Sequence, residues 1–202
     1  MAALHTRDPE RAAEVLRGGG LVVYPTETFY GLGALLASAQ AVARLALAKL
    51  RPEGKPLPLV AADLAMARTV AAAFPPLAER LAARFWPGPL TLVVPAAPGL
   101  PPEVTGDGTV GVRVPGSALA RDLSRLAGGP LTSTSANLSG GPPVTRPGDL
   151  DPGLLSRVEA VLDGGTVPGG LPSTVVALEA GGPRLLRPGA VPWEAVLVAA
   201  GA

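Results

Sequence analysis

The chain has 202 residues, 48% of them hydrophobic, with 17 basic and 16 acidic side chains and a formal net charge of +1. That apolar content excludes a disordered chain, and the near-balanced charge excludes a general polyanion binder. No cysteine is present, which excludes disulfides, thiolate nucleophiles and zinc–thiolate sites.

Helix and strand signals alternate from the N-terminus onward. In "DPERAAEVLRGG", Asp8 as N-cap, Pro9 at the first helical position and Gly18 as stop predict a helix. "GLVVYP" reads as a short buried strand stopped by Pro25, and "TETFYGLG" as a polar turn with two glycines. "SAQAVARLALAKLR" is predicted helical, capped by Ser38 and ended before Pro52. "PLPLVAA" follows as a strand, Asp63 caps the next helix, and "PPLAERLAARFW" gives another. "LTLVVP" and "TVGVRVP" read as strands, "SALARDLSRLAGG" as a helix, and "PLTSTSANLSGG" runs from a short strand into a loop. "DPGLLSRVEAVLDGG" is predicted as a helix, "STVVAL" and "PRLLRPG" as strands, and "PWEAVLVAA" as a last helix.

Such alternation predicts one α/β domain, a sheet layered with helices. No run of about 18 apolar residues occurs, and the N-terminus lacks a long apolar stretch. A soluble, cytoplasmic protein with no membrane partner is the expectation.

Several chemistries drop out. The single histidine, His5, lies in the N-terminal arm, so Ser–His catalysis and histidine metal sites are disfavoured. A Walker phosphate loop is missing, since Pro56 follows Gly54 and Lys55 where Ser or Thr is required. "GLGALL" lacks the third glycine of a dinucleotide fingerprint. What remains is a set of polar loops, each following an apolar strand or helix. Of the 17 basic residues only Lys49 and Lys55 are lysines, and Arg51 stands between them. A helix-end cluster of this kind also complements the helix dipole, and Ser/Thr runs such as "TSTSAN" are ordinary turn formers. Arg113 lies between Val112 and Val114 on an apolar strand; pointing inward it needs a partner, pointing outward it needs none. Taken together, the loops suit anionic phosphates and a small polar molecule, with no protein nucleophile in evidence. Phosphoryl or nucleotidyl transfer fits, because positioning and electrostatics supply most of that catalysis.

Seven segments, "YPTETFYGLG", "KLRPEGKPLPLV", "RFWPGPLTLVV", "VGVRVP", "STSANLSGG", "PSTVV" and "LLRPG", occur in this order. They resemble the YrdC-like threonylcarbamoyl-adenylate synthases, in a short bacterial form, over about residues 8 to 190. The resemblance implies a single-domain twisted mixed sheet with flanking helices and a substrate cleft on its concave side. Residues 8–190 would be the catalytic domain, with 191–202 a C-terminal helix packed on it. Longer members carry a further C-terminal domain, which this chain is expected to lack. The implied reaction joins L-threonine, bicarbonate or CO₂, and ATP into threonylcarbamoyl-AMP, releasing pyrophosphate. Mg²⁺ would bridge the ATP phosphates. The product would pass to tRNA threonylcarbamoyl-transferase proteins for N6-threonylcarbamoyladenosine modification, with at most a weak contact to tRNA itself.

The family's K-x-R and S-x-N signature falls on Lys49, Arg51, Ser135 and Asn137, which the resemblance makes catalytic. The same match gives ATP to Arg51, Lys55, Thr109, Ser135, Asn137, Pro143 and Arg187. Threonine would meet Thr28, Tyr30, Arg113, Ser133 and Ser173, and also Val60, where many members have histidine. Glu27 could serve as a metal or amine contact; the resemblance does not choose. Two rivals remain: an RNA-binding module, opposed by the +1 charge and 3% aromatic content, and a carbamoyl-transferring relative, opposed by the lack of zinc-finger cysteines.

Overall fold

The computed structural model describes residues 3–48, 56–138 and 140–201. The N-terminal arm is a strand, β1 (Leu4–Thr6), leading into helix α1 (Pro9–Arg17). That helix starts as its residues dictate: the Asp8 carboxylate accepts from the Glu10 N–H, Pro9 sits in the first turn and Gly18 closes the end. Strands β2 (Val22–Pro25) and β3 (Tyr30–Gly33) follow, then α2 (Ala39–Ala48) and β4 (Leu59–Val60). Helices α3 (Leu64–Arg68) and α4 (Pro76–Phe85) precede β5 (Leu90–Pro95), a two-residue β6 (Thr105–Gly106) and β7 (Thr109–Arg113). Next come α5 (Ala118–Ala127), β8 (Leu131–Thr132), β9 (Thr134–Ser135) and a single turn, α6 (Pro152–Leu155). The chain ends with β10 (Ala160–Leu162), β11 (Thr174–Glu179), β12 (Gly182–Arg187) and α7 (Trp193–Ala200).

The α/β expectation holds, with a refinement. Among the described residues the strands form two mixed sheets, not one. The smaller has the order β1-β10-β2-β3-β9; the larger runs β12-β11-β5-β7-β4-β8, with β6 alongside β7. Alternate residues of the smaller sheet serve two cores. Val22, Tyr24, Ala160 and Leu162 pack with Ala12, Ala13 and Leu16 of α1 and Ala120 and Leu123 of α5. Leu21, Val23 and Val161 join the larger core, which includes Leu90, Leu92, Val110 and Val112 of the second sheet. Helix α7 packs on α4 and β12 and buries Val196.

Two expected elements turn out differently. The predicted helix over "DPGLLSRVEAVLDGG" lasts one turn, and Ala160–Leu162 becomes a strand between β1 and β2, parallel to both. All three of its side chains are buried, two in one core and one in the other. A short apolar run carries no period that separates a buried strand from a helix, so packing decides. The stretch "YGLG", read as a turn, is β3, antiparallel to β2. Gly33 permits this: a Cβ there would overlap the Thr132 carbonyl and the Tyr24 ring.

The two sheets meet through one short run of chain. Leu131–Thr132 pairs with β4 of the larger sheet, and Thr134–Ser135 pairs with β3 of the smaller. Ser133 lies at the crossing, its N–H donating to the Pro58 carbonyl at 2.8 Å. Polar side chains from both sheets therefore converge here.

Candidate active site

A cavity of about 380 Å³ opens at this seam. Its lining includes Thr28, Tyr30, Arg113, Ser133, Ser135, Pro143, Ser173 and Arg187, which the sequence places up to 159 positions apart (187 − 28). Eight of the expected threonine or ATP contacts thus come from four different strands or the loops beside them, and sheet pairing gathers them.

Arg113 ends β7 and points inward. Its Nη1 donates to Glu27 Oε1 at 2.8 Å, with the two side chains only 9% and 19% exposed. The inward orientation therefore has the partner that burial demands; an unpaired guanidinium here would cost on the order of 3–5 kcal/mol. Glu27 reaches it from the Thr26–Phe29 loop, which Thr26 stiffens. The Thr26 hydroxyl accepts from the Thr28 and Phe29 N–H groups and donates to the Phe29 carbonyl at 2.7 Å.

Ser173 and Arg187 form a second cluster. The Arg187 guanidinium donates to the Ser173 carbonyl at 2.7 Å and to its hydroxyl at 2.9 Å. Thr91, on β5, shares a hydrogen bond with the same hydroxyl at 3.0 Å. Gly189 allows the closeness, because a Cβ there would overlap the backbone of Pro172 through Thr174. The Ser135 hydroxyl donates to Asn137 Oδ1 at 2.5 Å, and the Asn137 amide donates to the Gly141 carbonyl. Asn137 does not line the cavity; its carbonyl oxygen holds the Ser135 hydroxyl that does.

Other expected contacts fall elsewhere. Val60 is fully buried in β4, opposite Arg113 and Leu131 in the two neighbouring strands, and its isopropyl group packs in the core. Thr109 lies in an adjoining cavity of about 480 Å³ that also holds Leu178, Leu186 and Asp107. Pro58, Thr91 and Arg187 line both cavities. Tyr30 lines the first cavity, but its hydroxyl is committed, donating to the Gly165 carbonyl at 2.7 Å and accepting from the Gly164 N–H at 3.0 Å. Lys49, Arg51 and Lys55 lie outside the described residues.

Tyr24 is fully buried and feels both Ser133 and Arg113. Burial pushes its phenol up from 10.0 to about 12, opposed by a hydrogen bond from the Ser133 side chain and by the Arg113 charge. A proton bound more tightly in the folded state makes stability fall with pH once the unfolded phenol ionises. This contribution is complete below pH 10 and is lost as the pH rises through about 12. Tyr24→Phe should flatten the alkaline slope of unfolding free energy, at a cost near neutrality of about 1 kcal/mol for the bond to Thr132. Urea unfolding at neutral and strongly alkaline pH measures it; an unchanged slope would mean Tyr24 is not the responsible group.

Comparison with known proteins decides the family. The Sua5/YciO/YrdC family model, described as telomere recombination, matches residues 14–189. The chain belongs to the Sua5/YciO/YrdC family. A threonylcarbamoyl-AMP synthase of Pyrococcus abyssi is 42% identical over 186 residues, covering 92% of this chain and 55% of that protein. One of Stenotrophomonas maltophilia is 41% identical over 165 residues, covering 80% of this chain and 88% of that protein. Among solved structures, P. abyssi Sua5 complexed with L-threonine superposes with a TM-score of 0.92 at 38% identity, covering 100% of this chain and 61% of that one. The chain thus spans little more than half the length of its Pyrococcus relative.

Within this Sua5/YciO/YrdC domain, three further hydroxyls line the cavity, those of Thr26, Thr91 and Thr134. Thr26 and Thr134 stood in polar loops that the sequence offers without a role of their own, and Thr91 had a signal that was not used, a hydroxyl between Leu90 and Leu92 on an apolar strand. Among the described residues, no group of three or more His, Asp or Glu side chains could hold a metal ion. No helix among the described residues is long and apolar enough to cross a membrane.

Proposed function

We propose that the protein is an L-threonylcarbamoyladenylate synthase, acting in the cytoplasm. The observation that carries the reading is the convergence of Thr28, Arg113, Ser133 and Ser173 on one cavity, with Arg187 leading into the next. A buried guanidinium with several hydroxyls suits a small zwitterion bearing its own hydroxyl. The adjoining cavity, lined by Thr109 and Arg187, has room for part of the nucleotide, and Ser135 and Pro143 would meet it from the first cavity. Names of the relatives and the threonine complex of one neighbour support the same assignment.

The chemistry follows from placing the two substrates side by side. The amine lone pair of threonine bonds to the carbon of CO₂, with loss of a proton to solvent, and yields a carbamate. A carbamate oxygen then bonds to the α-phosphorus of ATP, while the bond to the bridging oxygen breaks and pyrophosphate leaves with the electron pair. Every intermediate is anionic, so cations fixed in a partly dry cleft lower the barrier. Arg187 is held by Ser173 for this purpose, and Lys49, Arg51 and Lys55 are expected to add to it. Mg²⁺ enters with ATP as part of the substrate. The product is handed to tRNA threonylcarbamoyl-transferase proteins.

Pyrophosphate release should require L-threonine and bicarbonate together, with the acyl-adenylate identified by mass. ATP turnover of equal rate without threonine would overturn the synthase in favour of a plain ATPase.

A further inference from the structure

We propose that Glu27 is a positioning residue for amino-acid recognition, acting through Arg113. It holds the guanidinium by one nitrogen so that the rest of the fork meets the carboxylate of the substrate. This rests on the synthase reading above.

Three observations support it. First, Arg113 lines the cavity and Glu27 does not, so the carboxylate backs the guanidinium without competing for the space a ligand would occupy. Second, the pair is single-pronged. Among the described residues the guanidinium's one hydrogen bond is from Nη1 to Glu27 Oε1, and Glu27 Oε2 is buried with no partner. Arg–carboxylate pairs are frequently bidentate and most buried oxygens are hydrogen-bonded, so a one-pronged pair with an orphaned oxygen is the exception. Keeping one prong leaves four N–H donors of the fork for a second carboxylate. Third, the surroundings fix Glu27 independently of Arg113. Its loop is pinned by Thr26, the Ser117 hydroxyl donates to the Pro25 carbonyl at 3.1 Å, and Gly116 lies against the Glu27 stem, where an added Cβ would stand 3.3 Å from its Cβ and Cγ. The loop joins two strands of the smaller sheet and Arg113 belongs to the larger, so the pair bridges the two sheets beside the cavity.

The test is L-threonine binding measured by calorimetry on the whole protein, with Michaelis constants for threonine and ATP alongside. Glu27→Gln keeps size and an acceptor oxygen but removes the charge. Threonine should bind about tenfold more weakly, because the guanidinium is no longer held for it, while ATP affinity is unaffected; the melting temperature should fall, since the buried Arg113 charge loses its counter-ion. In an Arg113→Lys background the same substitution should add less than about twofold, because a residue acting through Arg113 has nothing left to position. Should Glu27→Gln fail to fold, Glu27→Asp keeps the charge, withdraws the carboxylate by one methylene and carries the same comparison. Unchanged threonine affinity, an equal further loss in the Arg113→Lys background, or equal loss of threonine and ATP binding would each overturn the proposal. Failure of the unsubstituted protein to bind threonine would instead remove the synthase reading, and this proposal with it.

Discussion

Arg51→Ala is expected to lower the rate of pyrophosphate release at least about 100-fold while leaving the fold intact. Removing one fixed donor aimed at a developing oxyanion typically costs about 2.7–4 kcal/mol in the transition state. The alternative, a cation complementing the end of a helix, contributes only about 0.3–1 kcal/mol, and that to stability. The two differ by more than an order of magnitude in rate and lie on different observables. Turnover at saturating threonine, bicarbonate and ATP, read beside a thermal melt, separates them. A folded variant with full turnover would assign Arg51 to the helix end alone.

Arg113→Lys should produce a threonine-selective defect. The ammonium still reaches Glu27, so the buried charge keeps a counter-ion and the melting temperature should change little. Lost is the planar fork. A Lys ammonium is a point charge and cannot give two parallel bonds to a carboxylate while also facing Glu27. One charge-assisted hydrogen bond is worth about 1.5–3 kcal/mol, so the Michaelis constant for threonine should rise roughly 10- to 150-fold. The constant for ATP should stay within about twofold, since Arg113 does not line the adjoining cavity. A rise in both constants with a lowered melting temperature would make Arg113 a scaffold residue. Silence in both would take it out of the site.

Much of the cavity lining was legible as motifs, whose members are neighbours in the fold. "STSAN" places Ser133 at the crossing between sheets and Ser135 on the cavity wall, and "PSTVV" with "LLRPG" places Ser173 against Arg187. The role of Arg113 was legible only as a choice between inward and outward. Strand alternation cannot decide it, because Val112 and Val114 are buried as well. The decision came from Glu27, 86 positions away in sequence. Val60 and Asn137 show the opposite limit. Each belongs to a motif that points at the site, yet one packs in the core and the other reaches the cavity through its hydrogen bond with Ser135.

By itself, the sequence determined the local elements whose ends are written in capping chemistry. Helices α1, α3 and α5 begin at Asp8, Asp63 and Ser117, whose side-chain oxygens accept free N–H groups of the first turn. It also determined the side chains on offer to a site: hydroxyls and cations, no thiol, and one histidine, far off in the N-terminal arm. Tertiary structure alone decided that "AVL" at 160–162 is a strand, that "YGLG" is another, and that the strands divide into two sheets meeting at Ser133. Caps and turns are satisfied within a few residues, so they are readable locally. Strand partners are chosen by burial on two faces and by hydrogen bonds to distant chain, and a three-residue apolar segment states neither until its neighbours are in place.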